Sequence, residues 1–155
     1  RNVEVDAIEG NGTMSGLRLR DVRNGETRDL ECSALFVFIG GGLGAALRHF
    51  VNGASLRLVG SDWPLGTVFI NVTGSILMGV VAALFAFKLS LPPTLRLFIA
   101  TGILGGYTTF STFSLETALL VERGQAGPAL LYAVGSVLLG VGGLFAGMWA
   151  VRALA

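Results

Sequence analysis

Two aromatic side chains and several hydroxyls lie together in the middle of a long apolar segment. The stretch Gly105–Ser114 holds two adjacent glycines, five Ser or Thr residues, and Phe110 and Phe113 three positions apart. A phenyl ring has a positive edge, so ring edges and hydroxyl donors can solvate a dehydrated anion without a fixed charge that would trap it. Ser111 and Thr112 would supply donors between the rings. The stretch therefore predicts a polar track for an anion, and the alternative is that both rings simply face lipid.

A second polar position, Asn71, lies in another apolar segment. Its amide offers two N–H donors and one acceptor, so Asn71 either donates to a passing anion or bonds a neighbouring helix. Thr73 and Ser75 are weaker candidates, because a hydroxyl can bond back to its own helix.

Three ionisable side chains lie in or at the ends of apolar segments. Glu116 is the one carboxylate within such a segment, and buried membrane acids are costly and usually functional. Glu116 either serves a vestibule or makes a hydrogen bond near the end of its helix. Arg48 either attracts an anion at a mouth or extends toward lipid headgroups. His49 is expected to be an interfacial residue rather than a proton relay.

The adjacent glycines have a further consequence for the backbone. Glycine weakens a helix, and a break leaves carbonyls without intrahelical partners. Carbonyls at broken membrane helices coordinate cations. The turn from Gly105 to Thr108 could thus hold a monovalent cation, above all if symmetry duplicates it.

The elements that position these residues are membrane helices. The chain has 155 residues, a mean hydropathy of +0.71 and 14% charged residues, against about 25% in soluble domains. Four apolar segments approach or exceed the ~20 residues that a membrane helix needs. We therefore expect an all-α membrane protein with four transmembrane helices, the third of them broken. The segments are Ala34–Val51, Pro64–Phe87, Leu95–Val121 and Pro128–Val151.

Glycine spacing predicts close packing of these helices. The pairs Gly102/Gly106 and Gly143/Gly147 fit the small-residue pattern that lets membrane helices approach closely. Packing alone explains most glycines in the apolar segments, whereas the adjacent pair at 105–106 is expected to interrupt its helix.

Charge provides evidence on partners and orientation. The net charge is +1, which gives nucleic-acid binding no electrostatic basis. Within the apolar part, basic residues are divided three against three between the two sides, so both orientations are expected and an antiparallel dimer can form. Residues 1–33 hold five further arginines, which favour one orientation. The two basic groups are Lys88, Arg96 and Arg152, and Arg48, Arg57 and Arg123.

Three motifs, in this order, resemble the Fluc (CrcB) fluoride channels. They cover about residues 36–152, and the Thr-Thr-Phe-Ser-Thr-Phe-Ser-x-Glu run is the most specific of them. The resemblance implies a passive fluoride-selective anion channel that exports cytoplasmic fluoride, in a prokaryotic inner membrane. The motifs are Gly-Gly-Gly-Leu-Gly-Ala-Ala-Leu-Arg-His at 40–49, Gly-Thr-Val-Phe-Ile-Asn-Val-Thr-Gly-Ser at 66–75, and Gly-Gly-Tyr-Thr-Thr-Phe-Ser-Thr-Phe-Ser-Leu-Glu at 105–116.

The resemblance also implies an assembly and roles for individual residues. It implies an antiparallel, dual-topology homodimer in lipid, with a structural Na⁺ held by the backbone carbonyls of Gly105 and Thr108. Gly140 stands at a further track position where a hydroxyl is expected. The anion-pore positions would be Asn71, Phe110, Phe113, Ser111, Thr112, Tyr132 and Ser136, and the charged vestibule positions Arg48 and Glu116.

The N-terminal residues have a different character. Residues 3–8 alternate polar and apolar side chains, and Asn24-Gly25 lies between strand-like runs, which indicates a β-hairpin. Residues 1–39 resemble part of the NADPH domain of thioredoxin-reductase-like flavoproteins, without its Gly-x-Gly-x-x-Gly motif. We expect residues 1–33 to be a hairpin-like or disordered fusion remnant, and residues 34–155 to be the channel.

Two other functions fit a small membrane protein. A dual-topology drug/proton antiporter needs a carboxylate that exchanges proton and drug, and only Glu116 could serve. A non-transporting membrane subunit is the other possibility, and the unusual N-terminus favours it. A soluble reductase domain is excluded by the four apolar segments.

Overall fold

The N-terminal part of the chain is a three-stranded antiparallel sheet. The computed structural model describes residues 3–9, 16–60, 63–87 and 92–154, so Arg1 and Lys88 of the charge count lie outside the described residues. The strands are β1 (Val3–Glu9), β2 (Gly16–Asp21) and β3 (Thr27–Glu31), in the order β1-β2-β3. The sequence pattern indicated a hairpin, and the structure extends it to a three-stranded meander.

The turn between β2 and β3 follows from its residue types. Gly25 has φ +72°, a conformation that glycine adopts without steric cost. The side chain of Asp21 accepts a hydrogen bond from the Arg23 amide at 2.9 Å, and that of Asn24 accepts one from the Glu26 amide at 3.1 Å. The Asn-Gly signal is therefore confirmed as the hairpin turn.

Three long apolar helices follow the sheet. They are α1 (Cys32–Val59), α2 (Leu65–Phe87) and α6 (Ala126–Ala153). Each contains a span long and apolar enough to cross a membrane. Residues 35–40, part of the reductase-like resemblance, lie within α1.

Two helix ends differ from the sequence prediction. The first helix does not end at Val51 but continues to Val59, because residues 52–59 contain no proline and the helix stops only at Gly60, which has φ +84°. The last helix begins at Ala126, which places Pro128 within its first turn, where a missing amide hydrogen costs nothing. Pro64 directly precedes α2, and its carbonyl accepts the Val68 amide at 3.3 Å.

The third apolar segment is interrupted, but not at its glycines. It consists of α3 (Pro93–Arg96), a π-helical stretch (Leu97–Leu104), α4 (Gly105–Tyr107) and α5 (Phe110–Glu122). Gly105 and Gly106 are helical, and the chain becomes extended at Thr108 and Thr109. The prediction of a break is confirmed, whereas its expected position is wrong by about two residues because Thr109 caps the new helix.

Glycines bring the helices into backbone contact, as the spacing predicted. A Cβ added at Gly40 would lie 2.7 Å from the Phe98 carbonyl, and one at Gly106 would lie 2.5 Å from the Gly41 carbonyl. Added at Gly147, a Cβ would overlap the Ile76 carbonyl. These contacts hold α1 against the π-helical stretch and α4, and α2 against α6. These glycine positions leave no room for a larger side chain.

The outer surface of the bundle is apolar. Many large hydrophobic side chains are exposed along α1 and α6, among them Phe38, Leu138, Phe145 and Trp149. Contiguous exposed apolar surface is unfavourable in water and favourable against lipid tails. The described helices therefore form a membrane protein rather than a soluble domain.

Candidate functional site

A groove of about 420 Å³ runs between α2, α5 and α6 and passes the break at Thr108 and Thr109. Polar side chains enter it from two helices, and two aromatic rings enter from the third. Its lining includes Asn71, Ser75, Phe110, Phe113, Ser136 and Gly140. The groove thus contains four of the seven positions predicted for the pore, and the glycine at the further track position.

The two phenylalanines lie on one face, as their spacing predicted. Their ring centroids are 5.6 Å apart, with the planes tilted by 41°. The Phe113 ring also lies 5.3 Å from that of Tyr132. Phe110 is 78% exposed, so one ring borders the open side of the groove while the other packs inside.

Asn71 binds the backbone at the helix break. Its Nδ2 donates to the Thr109 carbonyl at 3.0 Å, and its Oδ1 accepts the Thr109 amide at 2.8 Å. This pair satisfies two backbone groups that an uninterrupted helix would have satisfied itself. The amide has a second N–H on Nδ2, so the structural role leaves one donor for a ligand in the groove.

Most hydroxyls of the third segment are engaged locally. Thr109 Oγ1 accepts the Thr112 amide at 3.3 Å and lies 3.0 Å from Thr112 Oγ1. Thr108 Oγ1 donates to the Leu104 carbonyl at 3.0 Å, and Ser114 Oγ donates to the Phe110 carbonyl at 2.9 Å. These hydroxyls close the break and bond back to their helices, which leaves them less available to a ligand.

Ser136 differs from these hydroxyls. Its Oγ is buried, and it has no hydrogen-bond partner within the part of the chain that the structure describes. A buried hydroxyl without a partner carries a desolvation cost, so it marks a site where a ligand or water can bind. Ser136 lines the same groove as Asn71 and the two rings.

A second pocket of about 320 Å³ lies beside the groove, and Thr109 lines both. Ser111 and Thr112 face this pocket together with Arg48 and His49. The sequence placed these two hydroxyls between the rings, whereas the structure places them in the neighbouring pocket. Both spaces flank the same helix break.

Arg48 extends into the bundle rather than away from it. Its Nη1 donates to the Thr108 carbonyl at 3.2 Å, so the guanidinium reaches the helix break. Arg48 therefore does not extend toward lipid headgroups, which was one of its two predicted conformations. His49 is exposed at the edge of the same pocket.

Glu116 is held by two hydroxyls from different helices. Thr67 Oγ1 donates to Oε1 at 2.9 Å, and the Tyr132 hydroxyl donates to Oε2 at 2.6 Å. Both donors are buried, at 2% and 3% exposure. Thr67 was missed by the sequence reasoning, although it lies one helical turn before Asn71 and a hydroxyl at that spacing faces the same side of the helix.

Glu116 also borders a third pocket of about 140 Å³, with Trp63 and Arg123 at its edge. Asn52 lines both this pocket and the one beside Arg48. The three spaces therefore adjoin one another through shared lining residues, from Glu116 past Arg48 to the groove.

Fold and site together define a small multi-pass membrane protein with a groove suited to a dehydrated anion. A family model described as "CrcB-like protein, Camphor Resistance (CrcB)" matches residues 35–148. The chain belongs to the CrcB family.

Relatives with a stated function are similar over nearly their whole length. A "Fluoride-specific ion channel FluC" of Rhodopseudomonas palustris (strain BisB5) is 58% identical over 120 residues, which cover 77% of this chain and 97% of the relative. "Fluoride-specific ion channel FluC 2" of Nitrobacter hamburgensis has the same identity and coverage. A FluC of Beijerinckia indica is 54% identical over 123 residues, with 78% and 97% covered.

The family match begins after the N-terminal sheet. Residues 1–34 lie outside it, so the match gives no support to the resemblance between residues 1–39 and a reductase fragment. The described strands end at Glu31, and α1 begins at Cys32.

Proposed function

We propose that this chain is a passive fluoride-selective channel that exports cytoplasmic fluoride. The observation that carries the proposal is the groove, in which Asn71, two phenyl rings and the unpartnered hydroxyl of Ser136 meet inside a membrane-length bundle. Family membership and relatives named as fluoride-specific channels support the identity of the ion. A channel carries out no covalent chemistry, so the protein is not an enzyme.

The groove provides neutral donors. The edges of Phe110 and Phe113 and the free N–H of Asn71 solvate a dehydrated anion, and Ser136 supplies a hydroxyl. Neutral donors bind an anion weakly enough to release it, which conduction requires. Ser111 and Thr112 continue the track in the neighbouring pocket. Tyr132 contributes its ring, which contacts Phe113, because its hydroxyl donates to Glu116. Arg48 and Glu116 act at the vestibules, where their charges control entry.

Transport needs no coupled energy source. Neutral HF crosses the membrane and dissociates in the more neutral cytoplasm, where fluoride accumulates. A potential that is negative inside drives the anion out, by about 2.3 kcal/mol per charge for each 100 mV. The predicted location is the inner membrane of a prokaryotic cell.

The working unit is an antiparallel homodimer with four transmembrane crossings per subunit. Two features support it: the groove is open beside the exposed Phe110, and the basic residues of the apolar part divide three against three between its two predicted sides. A cysteine at Gln125, in a Cys32→Ser background, tests the topology. Both orientations predict that an impermeant thiol reagent labels about half of the population from outside intact cells.

A structural Na⁺ fits the carbonyls at the helix break. The Thr109 amide, four residues after Gly105, donates to Asn71 and not to the Gly105 carbonyl, which frees that oxygen. Thr108 has a carbonyl that Arg48 already contacts, and its second lone pair can face a cation. Among the described residues no cluster of His, Cys, Asp and Glu could hold a metal, so backbone oxygens are the expected ligands. Exchange of Na⁺ for N-methylglucamine should lower the melting temperature of the dimer.

The chain divides into a short N-terminal segment and the channel. Residues 1–33 are a fusion remnant that the channel does not require, and residues 34–155 conduct. Removal of residues 1–33 should leave fluoride efflux unchanged. Efflux that depends on this segment would contradict the division.

Proton-coupled drug transport is the alternative function, and Glu116 is its required carboxylate. Here Glu116 accepts hydrogen bonds from Thr67 and Tyr132, which is a fixed structural environment rather than an open exchange site. A Glu116→Gln variant that still moves fluoride would reject the antiporter.

The experiment that tests the proposal compares two exposed phenylalanines. Phe110 lines the groove, whereas Phe145 is exposed on α6 and is not part of the groove lining. Purified variants Phe110→Ile and Phe145→Ile are reconstituted in liposomes, and fluoride efflux is followed with an electrode. Loss of efflux in the first and retention in the second is expected. Equal rates in both would remove the groove from the pathway.

A further inference from the structure

The groove contains four hydroxyl side chains that differ in their hydrogen bonds. Thr108 donates to the Leu104 carbonyl, and Thr109 is bonded to Thr112. Ser136 Oγ has no partner, and Ser75 Oγ makes no hydrogen bond within the described residues either. Ser75 and Ser136 are therefore the two groove hydroxyls that can give their proton to a ligand.

Ser75 lies at the middle of its helix. It is the eleventh of the 23 residues of α2 and follows Asn71 by four positions, which is about 6 Å along the helix axis. Residues at this spacing share a face, so both enter the same groove. Thr73, on the same helix, donates to its own Phe69 carbonyl at 2.6 Å, and Ser75 has no such bond.

The residue opposite Ser75 has no side chain. A Cβ built at Gly140 would lie 3.6 Å from Ser75 Oγ, which is an ordinary van der Waals contact. Ser136 precedes Gly140 by one turn on α6. The polar side chains that α2 and α6 give to the groove are therefore Asn71, Ser75 and Ser136, and Gly140 adds none. Among the described residues, the Ser75 hydroxyl is the one group within 4 Å of a Cβ built at Gly140.

We propose that Ser75 is an anion-solvating residue of the pathway and that its hydroxyl serves the level of the groove where Gly140 offers none. The inference rests on the proposed function, since it concerns the same groove. An anion that leaves Asn71 and the rings would meet Ser75 Oγ about one turn further along α2. Without this donor, that step would expose the anion to an apolar wall formed by residues such as Val137, Val141 and Leu144.

Fluoride efflux from liposomes tests the role with Ser75→Ala. Alanine keeps the helix and the packing, because it removes one oxygen and favours helix formation. A hydrogen bond to a charged group is stronger than one between neutral groups, so its loss should slow efflux about tenfold. Ser114→Ala is the matched control: the Ser114 hydroxyl is exposed and bonded to its own helix, so efflux should stay at the level of the parent chain.

Rescue from the opposite helix separates a lost donor from a lost contact. The double variant Ser75→Ala/Gly140→Ser returns a hydroxyl to the same level of the groove, and the 3.6 Å separation leaves room for it. Efflux should recover to within about threefold of the parent. The melting temperature of Ser75→Ala in detergent should equal that of the parent, because Ser75 makes no hydrogen bond within the described residues.

The outcomes are distinguishable from failure of the channel itself. If the parent chain passes no fluoride, the proposed function fails and this inference fails with it. If the parent conducts and Ser75→Ala conducts equally well, only the role of Ser75 is overturned. Slow efflux that Gly140→Ser does not restore, or a lower melting temperature in Ser75→Ala, would also overturn it, since the missing element would then be structural.

Discussion

Substitution of Asn71 by alanine should destabilise the bundle at its helix break. The Asn71 amide makes two hydrogen bonds with the Thr109 backbone, at 3.0 and 2.8 Å. Thr109 is only 7% exposed, so its backbone groups are largely shielded from solvent in the intact bundle. Alanine would leave one amide N–H and one carbonyl without their partners in an apolar environment.

The magnitude follows from these two groups. A net hydrogen bond contributes about 1 kcal/mol, and an unsatisfied buried group costs about 1–3 kcal/mol. Two groups therefore predict a loss of about 2–6 kcal/mol in the free energy of unfolding. Because Thr109 also caps α5 through its side chain, a shift of its backbone would extend the damage to that cap.

Asn52→Ala is the matched control for this substitution. Asn52 lies in α1 and makes no hydrogen bond within the described residues, so the same atoms are removed without an unpaired backbone group. Its expected effect is within about 0.5 kcal/mol. Reversible unfolding in detergent can be followed by the fluorescence of the two tryptophans, Trp63 and Trp149. Equal midpoints for the two alanine variants would show that the Asn71–Thr109 hydrogen bonds do not stabilise the helix break.

Three further substitutions test packing, capping and the carboxylate site. Gly44→Ala should lower the free energy of unfolding by about 1–3 kcal/mol, because the added Cβ would overlap the Ile103 carbonyl. Gly42→Ala, whose Cβ would have nothing within 4 Å, should be neutral, and thermal unfolding in detergent compares the two. Thr109→Val should cost about 0.5–2 kcal/mol through loss of the cap, measured in the same assay, and an unchanged midpoint would count against that cap. Glu116→Gln should retain fluoride efflux at a reduced rate, since the amide has one oxygen acceptor where the carboxylate has two. If the parent chain instead moves a cationic drug against protons and this variant does not, the antiporter would be favoured.

The features that the sequence predicted well depend on short-range spacing. The pair Gly102/Gly106 indicated close packing, and the structure places Gly106 against the Gly41 carbonyl. Three-residue spacing placed Phe110 and Phe113 on one face, and their rings are in contact. In each case the period of the helix alone decides which side chains lie together.

The features that it predicted poorly depend on contacts between distant segments. The glycines at 105 and 106 indicated a break there, but the break occurs at Thr108 and Thr109 because Asn71, on another helix, takes up the backbone groups. Local propensity is a weak indicator where a tertiary hydrogen bond competes with it.

The carboxylate site shows the same limit. Glu116 is bonded by Thr67 from α2 and Tyr132 from α6. Nothing in the local sequence around Glu116 names these partners, because they come from residues 49 and 16 positions away. The sequence alone therefore left both a vestibule role and a helix-end hydrogen bond open for Glu116.

Passive and selective movement of fluoride can be measured as the efflux of two halides from one preparation of liposomes. The full chain is reconstituted in liposomes loaded with fluoride and chloride, without ATP or a proton gradient, and a potassium ionophore supplies the counter-ion current. Rapid loss of fluoride is expected while chloride stays inside. Equal efflux of both ions, or retained fluoride with a folded protein in the membrane, would contradict it.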